Sequence, residues 1–171
     1  STPFRYSNHV GDVGHTLVLG PTGAGKSTLL NFMEVQFLRY SNAQVYIFDK
    51  GGSSATLTAA VGGDHYDLGA EDSPLYFQPL ALVDNEAERK WAHEWLVALA
   101  SKENVTVTPE VKKTIWDALL SLAATPEDQR TMEALTVYLQ NRELRDAFEP
   151  FTHRGAYGKL VDNSSDTLRL S

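Results

Sequence analysis

Apolar residues recur with a helical period in several segments of the chain, and each such segment predicts an α-helix. In residues 27–40 the apolar positions follow that period closely, which predicts a well-buried helix. Thr108 directly precedes Pro109, and a threonine N-cap followed by proline at the first helical position is typical of a helix start. The predicted helices cover residues 27–40, residues 53–60, residues 86–100, a segment beginning at Thr108, a segment beginning at Thr131 and residues 142–148.

Two short apolar runs predict β-strands instead. Residues 16–19 read TLVL and residues 44–49 read QVYIFD, and such β-branched and aromatic runs are typical of buried parallel strands. With the helix over residues 27–40 between them they would form a βαβ unit with a right-handed crossover. Weaker strand patterns occur at residues 4–9, 65–68 and 167–170. We therefore predict an α/β fold with a parallel sheet core.

The composition changes to helix-forming residues after residue 84. Residues 85–149 predict an all-helical subdomain, whose core we expect to include Trp91, Trp95, Leu96 and Leu99. The predicted organisation is an α/β core segment over 1–84, a helical insertion over 85–149 and an incomplete return to the core over 150–171.

A phosphate-binding motif lies between the first predicted strand and the following helix. Residues 20–28 read GPTGAGKST and fit G-x-x-x-x-G-K-[ST]. Inward-pointing backbone N–H groups and the positive end of a helix dipole make such a loop an anion site. We expect Lys26 to contact the β- and γ-phosphates as the catalytic lysine, and the Ser27 hydroxyl to bind Mg²⁺. The predicted nucleotide-binding residues are Gly20, Pro21, Thr22, Gly23, Ala24, Gly25, Lys26, Ser27 and Thr28.

Other candidate residues carry alternative interpretations. Asp49 ends an apolar run, as the carboxylate of a Walker B strand does, but its early place in the chain favours a loop position at the strand's carboxyl end. Aromatic and histidine residues near the start would line an adenine pocket or pack against the core, and His65 fits a surface or packing role. The glycine-punctuated segment 151–160 would meet a nucleotide or form a plain turn. The residues near the start are Phe4, Tyr6 and His9. The candidates in residues 151–160 are His153, Arg154 and Lys159.

Charge and composition narrow the function classes. The 171 residues carry a formal net charge of −7, which argues against a surface built to wrap nucleic acid, although a local basic patch stays possible. The absence of cysteine excludes thiolate chemistry and cysteine-based metal sites. No run of eighteen apolar residues occurs, so no membrane-spanning segment is predicted. Because the first residue is Ser1 and not Met, we interpret the chain either as a processed chain or, in preference, as a piece of a longer protein.

Several segments in order resemble one family. The series HVGDVGHTLVLGPTGAGKST, VYIFDKGGSS, AVGGDHYDLG, LYFQPLALVDNEAERKWAHEWL and GAYGKLVD is similar to the conjugative-transfer ATPases of type IV secretion systems, the TrbE/CagE/VirB family. The resemblance runs over nearly the whole chain. It implies a RecA/FtsK-like P-loop NTPase domain with a helical insertion, in which Lys26 and Ser27 are the phosphate and Mg²⁺ ligands. Asp49-Lys50 match the family's strand-end Asp-Lys.

The resemblance also implies a function and partners. Family members couple ATP hydrolysis to channel or pilus assembly and substrate transfer, as homo-oligomers (hexamers in the family) with other secretion components. They work in the cytoplasm at the inner face of the bacterial inner membrane. We therefore predict the ATP-binding segment of such a motor, with ATP and Mg²⁺ as ligands. The sequence leaves open which secretion system is served, whether DNA or protein is transferred, and whether the chain binds nucleic acid directly.

Two departures from the family favour an alternative. No later apolar run ends in Asp-Glu, so the Walker B carboxylates are missing. His153-Arg154 stands before Gly155, where the family carries a plainer small residue, so a role for Arg154 as an arginine finger is only one interpretation. The alternative is a non-catalytic nucleotide-binding or structural fragment that needs partner chains, and we expect the isolated chain to be inactive. A GTPase or ABC ATPase is disfavoured because N-K-x-D and L-S-G-G-Q are both absent.

Overall fold

The computed structural model describes Ser7, His9, residues 14–68, Ala70 and residues 73–167. These residues form two compact units, one up to His65 and one from Tyr66 onward. In chain order the α-helices are α1 (Lys26–Phe37), α2 (Ala55–Ala60), α3 (Glu86–Lys102), α4 (Pro109–Ala123), α5 (Met132–Tyr138), α6 (Arg142–Phe148) and α7 (Gly158–Val161). Short 3-10 helices span Glu127–Gln129 and Glu149–Phe151.

The prediction of a parallel sheet is wrong for the described residues, which contain no strand. Among the described residues, none of the segments 16–19, 44–49 and 65–68 is assigned to a strand. Apolar side chains in these segments are exposed to solvent: Leu17 is 81% exposed and Phe48 is 100% exposed. A strand exists only through hydrogen bonds to a neighbour, so an apolar run without a paired segment stays an extended chain. The strands predicted at residues 4–9 and 167–170 lie largely outside the described residues.

The helices of the first unit are less buried than their sequence indicates. α1 occupies most of the predicted segment 27–40, but it contains no buried residue, and Phe32 is 61% exposed. α2 confirms the helix predicted at residues 53–60 and also has no buried residue. Among the described residues up to His65, Ser54 is the one that is buried. The prediction of a well-buried first helix is therefore wrong.

The second unit contains the hydrophobic core. Its helices confirm the predictions for residues 86–100, for the start after Thr108 and for residues 142–148. Thr108 accepts a hydrogen bond from the amide of Val111, and Thr131 caps α5 in the same way through Ala134. The core is made by buried side chains of α3, α4, α5 and α6, including Leu96, Leu99, Ile115, Leu119, Leu122, Leu135, Leu144 and Phe148. Leu96 and Leu99 are thus confirmed as core residues.

The two predicted core tryptophans of α3 are less buried than the leucines. Trp91 is 52% exposed and Trp95 is partly buried against the core, with the two rings stacked at 5.9 Å between centroids. The spacing of four residues places them on the same side of the helix. The prediction that Trp91 belongs to the core is wrong, because this side of α3 turns toward solvent at its first turns.

The carboxyl end of the described chain returns to the segment before α3. The amide of Phe77 donates to Leu160 O at 2.7 Å, and the amide of Thr167 donates to Tyr76 O at 3.0 Å. None of the helices in the described residues combines the length and apolarity that crossing a membrane requires. The domain boundaries at residues 84 and 149 stay predictions.

The buried side chain of Arg130 connects loops of the second unit through hydrogen bonds. Arg130 is 8% exposed and its guanidinium donates to Ala81 O at 2.6 Å, to Thr125 O at 3.0 Å and to Ala123 O at 3.3 Å. It also forms an ion pair with the Asp84 carboxylate at 2.6 Å. These contacts join the end of α4 to the segment before α3, which closes the helical core at one end.

We expect Arg130→Ala to lower the free energy of unfolding by about 3 kcal/mol, because it leaves partly buried carbonyl oxygens without a donor and removes a buried ion-pair partner. Urea denaturation followed by tryptophan fluorescence measures this, since Trp91, Trp95 and Trp116 all lie in the second unit. The exposed Arg145 of α6 supplies the control, and Arg145→Ala should change stability by less than about 0.5 kcal/mol. Equal effects of the two substitutions would contradict the role given to Arg130.

Candidate nucleotide-phosphate site

The loop of residues 20–28 turns into α1 through two glycines with positive φ. Gly23 has φ 82° and Gly25 has φ 83°, a region that side chains with a Cβ rarely adopt. Gly25 is the N-cap of α1, and no side chain caps the helix. The amide of Ala24 donates to Pro21 O at 3.3 Å and closes a tight turn within the loop. The glycine positions of the motif therefore serve the local geometry that the sequence predicts.

The amides at the start of α1 are available to an external acceptor. Within the range that the structure describes, the N–H groups of Lys26, Ser27 and Thr28 donate to no protein acceptor. The first intrahelical bond is made by Leu29, whose amide donates to Gly25 O at 2.9 Å. Free first-turn amides and the positive end of the helix dipole favour an anion at this position.

Lys26 is folded back over the same loop. Its Nζ donates to Gly20 O and to Pro21 O, both at 2.8 Å. An ammonium has three donors, so one remains for a ligand while two are held by the loop carbonyls. The hydroxyls of Ser27 and Thr28 have no hydrogen-bond partner among the described residues, and both residues are exposed. The loop thus brings together a cation, free amides and two free hydroxyls.

Asp49 shapes the loop that follows residues 44–48. Its Oδ1 accepts from the amide of Gly51, and its Oδ2 accepts from the Ser53 hydroxyl and from the amide of Ser54, each at 2.9 Å. These bonds, that from the Ser54 amide first, hold the pKa of the Asp49 carboxyl below its usual range. Asp49 lies in a loop, but the strand whose carboxyl end it was predicted to follow is not formed among the described residues. A role of Asp49 in a metal shell stays a prediction.

Two residues of α1 that the sequence did not single out connect the helix to this loop. Asn31 accepts from the Ser54 hydroxyl at 3.0 Å and donates through Nδ2 to Ser53 O at 3.4 Å. Glu34 lies one turn further along, and its Oε2 is buried without a hydrogen-bond partner among the described residues. Burial, and secondly the charge of Asp49, raise the pKa of Glu34. In the sequence, the three-residue spacing of Asn31 and Glu34 indicated that both side chains lie on the same side of α1, and this spacing could have drawn attention to them.

The structure describes the remaining candidate residues to different extents. Phe4 and Tyr6 are outside the described residues, and His9 and His65 are exposed. His153 and Arg154 belong to the second unit, where both pair with Glu133, at 3.2 Å and 3.3 Å respectively. Their predicted roles near a nucleotide stay predictions.

Comparison with known proteins identifies the family. A family model described as the TraG P-loop domain matches residues 7–146. The chain belongs to the TraG P-loop domain family.

Relatives of this TraG P-loop domain confirm the resemblance to conjugative-transfer and type IV secretion proteins. The chain is 41% identical to a probable conjugal transfer protein TrbE of Sinorhizobium fredii (strain NBRC 101917 / NGR234), over 99% of this chain and 26% of the relative. It is 42% identical to a conjugal transfer protein TrbE of Rhizobium radiobacter, over 99% of this chain and 21% of the relative. A type IV secretion system protein virB4 of Bartonella quintana (strain Toulouse) is 28% identical over 99% of this chain and 22% of the relative. This TraG P-loop domain therefore spans about a fifth to a quarter of these relatives.

We expect Asp49→Ala to speed hydrogen exchange of the Ser54 amide several-fold, because the acceptor of that amide is lost. In the unaltered chain the lowered pKa means that this protection is complete above pH ~3.9 and is lost as the pH falls below it through the Asp49 pKa. Amide exchange followed by NMR against pH measures both effects. The exposed Asp64 provides the matched control, and a similar acceleration in Asp64→Ala would refute the assignment.

Proposed function

We propose that the chain is the ATP-binding segment of a type IV secretion or conjugation ATPase. The single observation that carries this proposal is the start of α1, where three amides donate to no acceptor among the described residues and the Lys26 ammonium lies over the same loop. A polyphosphate supplies the several anionic oxygens that such a donor set requires. The family membership of the chain supports the same ligand class.

Different residues of the loop would contact different phosphates of the nucleotide. The amides of residues 25–28 would donate to the β-phosphate, and Thr28 could reach the α-phosphate. Lys26 would exchange its bonds to Gly20 O and Pro21 O for β- and γ-phosphate oxygens, and this exchange is favourable because an anionic phosphate oxygen attracts the ammonium more strongly than a neutral carbonyl does. Lys26 would thereby offset charge on the γ-phosphoryl group as it is transferred.

Ser27 fits the metal role that this chemistry needs. Its hydroxyl is exposed and has no partner among the described residues, and an oxygen ligand beside substrate phosphates is the kind that Mg²⁺ prefers. When bound, Mg²⁺ would offset the negative charge of the substrate phosphates. The chain's own contribution is to hold the Ser27 hydroxyl at the first turn of α1, beside the free amides.

The whole protein would use ATP hydrolysis to power channel or pilus assembly and substrate transfer. The relatives named conjugal transfer protein TrbE and type IV secretion system protein virB4 support this role. We further propose that it works as a homo-oligomer with other secretion components at the inner face of the bacterial inner membrane.

A second candidate is a nucleotide-binding module without catalysis of its own. The sequence favours it because no apolar run after the phosphate loop ends in Asp-Glu, so no carboxylate pair is evident that would orient water. On either candidate the isolated chain binds Mg²⁺-ATP, but only the second candidate excludes phosphate release by the isolated chain. Steady phosphate release by the isolated chain would exclude the second candidate.

We expect Lys26→Ala to weaken Mg²⁺-ATP binding by about 30-fold or more, since losing hydrogen bonds to charged groups costs about 2 kcal/mol or more. Isothermal titration calorimetry on the 171-residue chain measures the affinity, with phosphate release followed in parallel. Lys102→Ala is the matched control, because Lys102 is an exposed lysine in the last turn of α3. Unchanged affinity in Lys26→Ala would refute the proposed site.

We expect Ser27→Ala to remove most of the gain in ATP affinity that Mg²⁺ provides and to leave metal-free ATP binding nearly unchanged. The physical reason is that the substitution removes a metal ligand but no phosphate donor. Titrations with Mg²⁺ and with a chelator give the two affinities. Ser27→Thr keeps the hydroxyl and should retain the gain from Mg²⁺, whereas an equal loss in both variants would contradict the metal role.

A further inference from the structure

A histidine and two carboxylates of the second unit converge on one point outside the phosphate loop. Glu133 lies in the first turn of α5, His153 follows the 3-10 helix Glu149–Phe151, and Asp162 is the C-cap of α7. His153 Nδ1 lies 3.2 Å from Glu133 Oε2 and 3.8 Å from Asp162 Oδ2. One ligand atom from each residue lies within 4.8 Å of the other two. Three separate elements thus present their polar atoms to a common position.

Asp162 holds this arrangement together. Its side chain is only 2% exposed, and its two oxygens accept from the backbone of the other two residues. Oδ1 accepts from the amide of Glu133 at 3.0 Å, and Oδ2 accepts from the amide of His153 at 2.6 Å. A carboxylate oxygen has two lone pairs, so Oδ2 keeps one for a further partner. Hydrogen-bonded carboxylates of this kind are typical of preorganised metal ligands.

The charge balance of the cluster favours a cation. Arg154 approaches the other oxygen of Glu133, Oε1, at 3.3 Å and leaves Oε2 directed toward His153. With a neutral imidazole, the two carboxylates outnumber this guanidinium by one negative charge. One of those carboxylates, that of Asp162, is almost completely removed from water, where an unbalanced charge is costly.

The ligand atoms of the cluster determine which kind of cation can bind. Imidazole nitrogen with carboxylate oxygen suits Zn²⁺ and similar transition metals, whereas Mg²⁺ and Ca²⁺ prefer oxygen ligands alone. Zinc bonds of about 2.1 Å in a tetrahedron place ligand atoms about 3.4 Å apart. The distances of 3.2 Å and 3.8 Å from His153 Nδ1 lie on either side of that value. Small side-chain adjustments would therefore satisfy the geometry, with a fourth position left for water.

We propose that Glu133, His153 and Asp162 form a binding site for a zinc-class divalent cation. The cation ties α5, the segment after Glu149–Phe151 and the end of α7 to one another. Its role is structural, because the ligands come from three elements of one unit and fasten them across a turn-rich region.

The test is calorimetric titration of the nucleotide-free 171-residue chain with Zn²⁺ in the presence of excess Mg²⁺. The unaltered chain should bind one Zn²⁺ with saturation and should unfold at a higher temperature when Zn²⁺ is present. His153→Ala and Glu133→Gln should each weaken binding by about tenfold or more. Circular dichroism confirms that each variant keeps its helices, and Asp162 is left unaltered because its carboxylate also caps two amides.

His65→Ala supplies the matched control, since His65 is an exposed histidine outside the cluster. This variant should retain the affinity of the unaltered chain. Three results would overturn the proposal: no saturable Zn²⁺ binding, binding unchanged in His153→Ala, or an equal loss in His65→Ala. The first of these would mean that His153 and the two carboxylates form an ion pair only.

Discussion

The candidate site depends on one constraint, which is that an α-helix cannot satisfy its own first amides. In α1 neither a side-chain cap nor a loop carbonyl accepts from residues 26–28 within the described chain, and the N-cap is Gly25, which has no side chain to offer. Lys26 occupies the loop's carbonyls at Gly20 and Pro21 instead. The loop thus keeps its donors free and its nearby acceptors engaged, and both features favour an anionic ligand over a cationic one.

The two units bury their apolar side chains to different degrees. The second unit buries leucines from four helices, and Arg130 satisfies the carbonyl oxygens at one end of that core. In the first unit, the apolar side chains of residues 17, 19 and 48 are largely exposed. An amphipathic helix buries its apolar stripe against any neighbouring helix, whereas an extended segment needs a hydrogen-bonded partner as well. The helical unit can therefore complete its core from local sequence alone.

This difference explains what the sequence predicted well. The helix after Thr108 and the helix over residues 142–148 follow from capping residues and apolar period, which are local signals. The phosphate loop follows from a motif of nine adjacent residues. The prediction of a parallel sheet was wrong because an apolar run indicates that a segment can form a strand, but it does not show that a partner strand is present. The cluster of Glu133, His153 and Asp162 was missed because its members are up to 29 positions apart and converge only in the fold.

Helix α1 carries two electrostatic features, and distance decides whether they interact. Its first turn presents free amides, and its side contacts the Asp49 loop through Asn31, with Glu34 one turn beyond. Glu34 is eight residues from Lys26, or about 12 Å at the helical rise, which exceeds the Debye length of about 8 Å at physiological salt. The charge of Glu34 therefore acts only weakly on the phosphate end of α1. Burial, and secondly the charge of Asp49, raise the pKa of Glu34, while the hydrogen bonds of Asp49 order residues 51–54. The phosphate end of α1 is governed electrostatically by Lys26 and the helix dipole, and its free amides and ammonium group favour an anion.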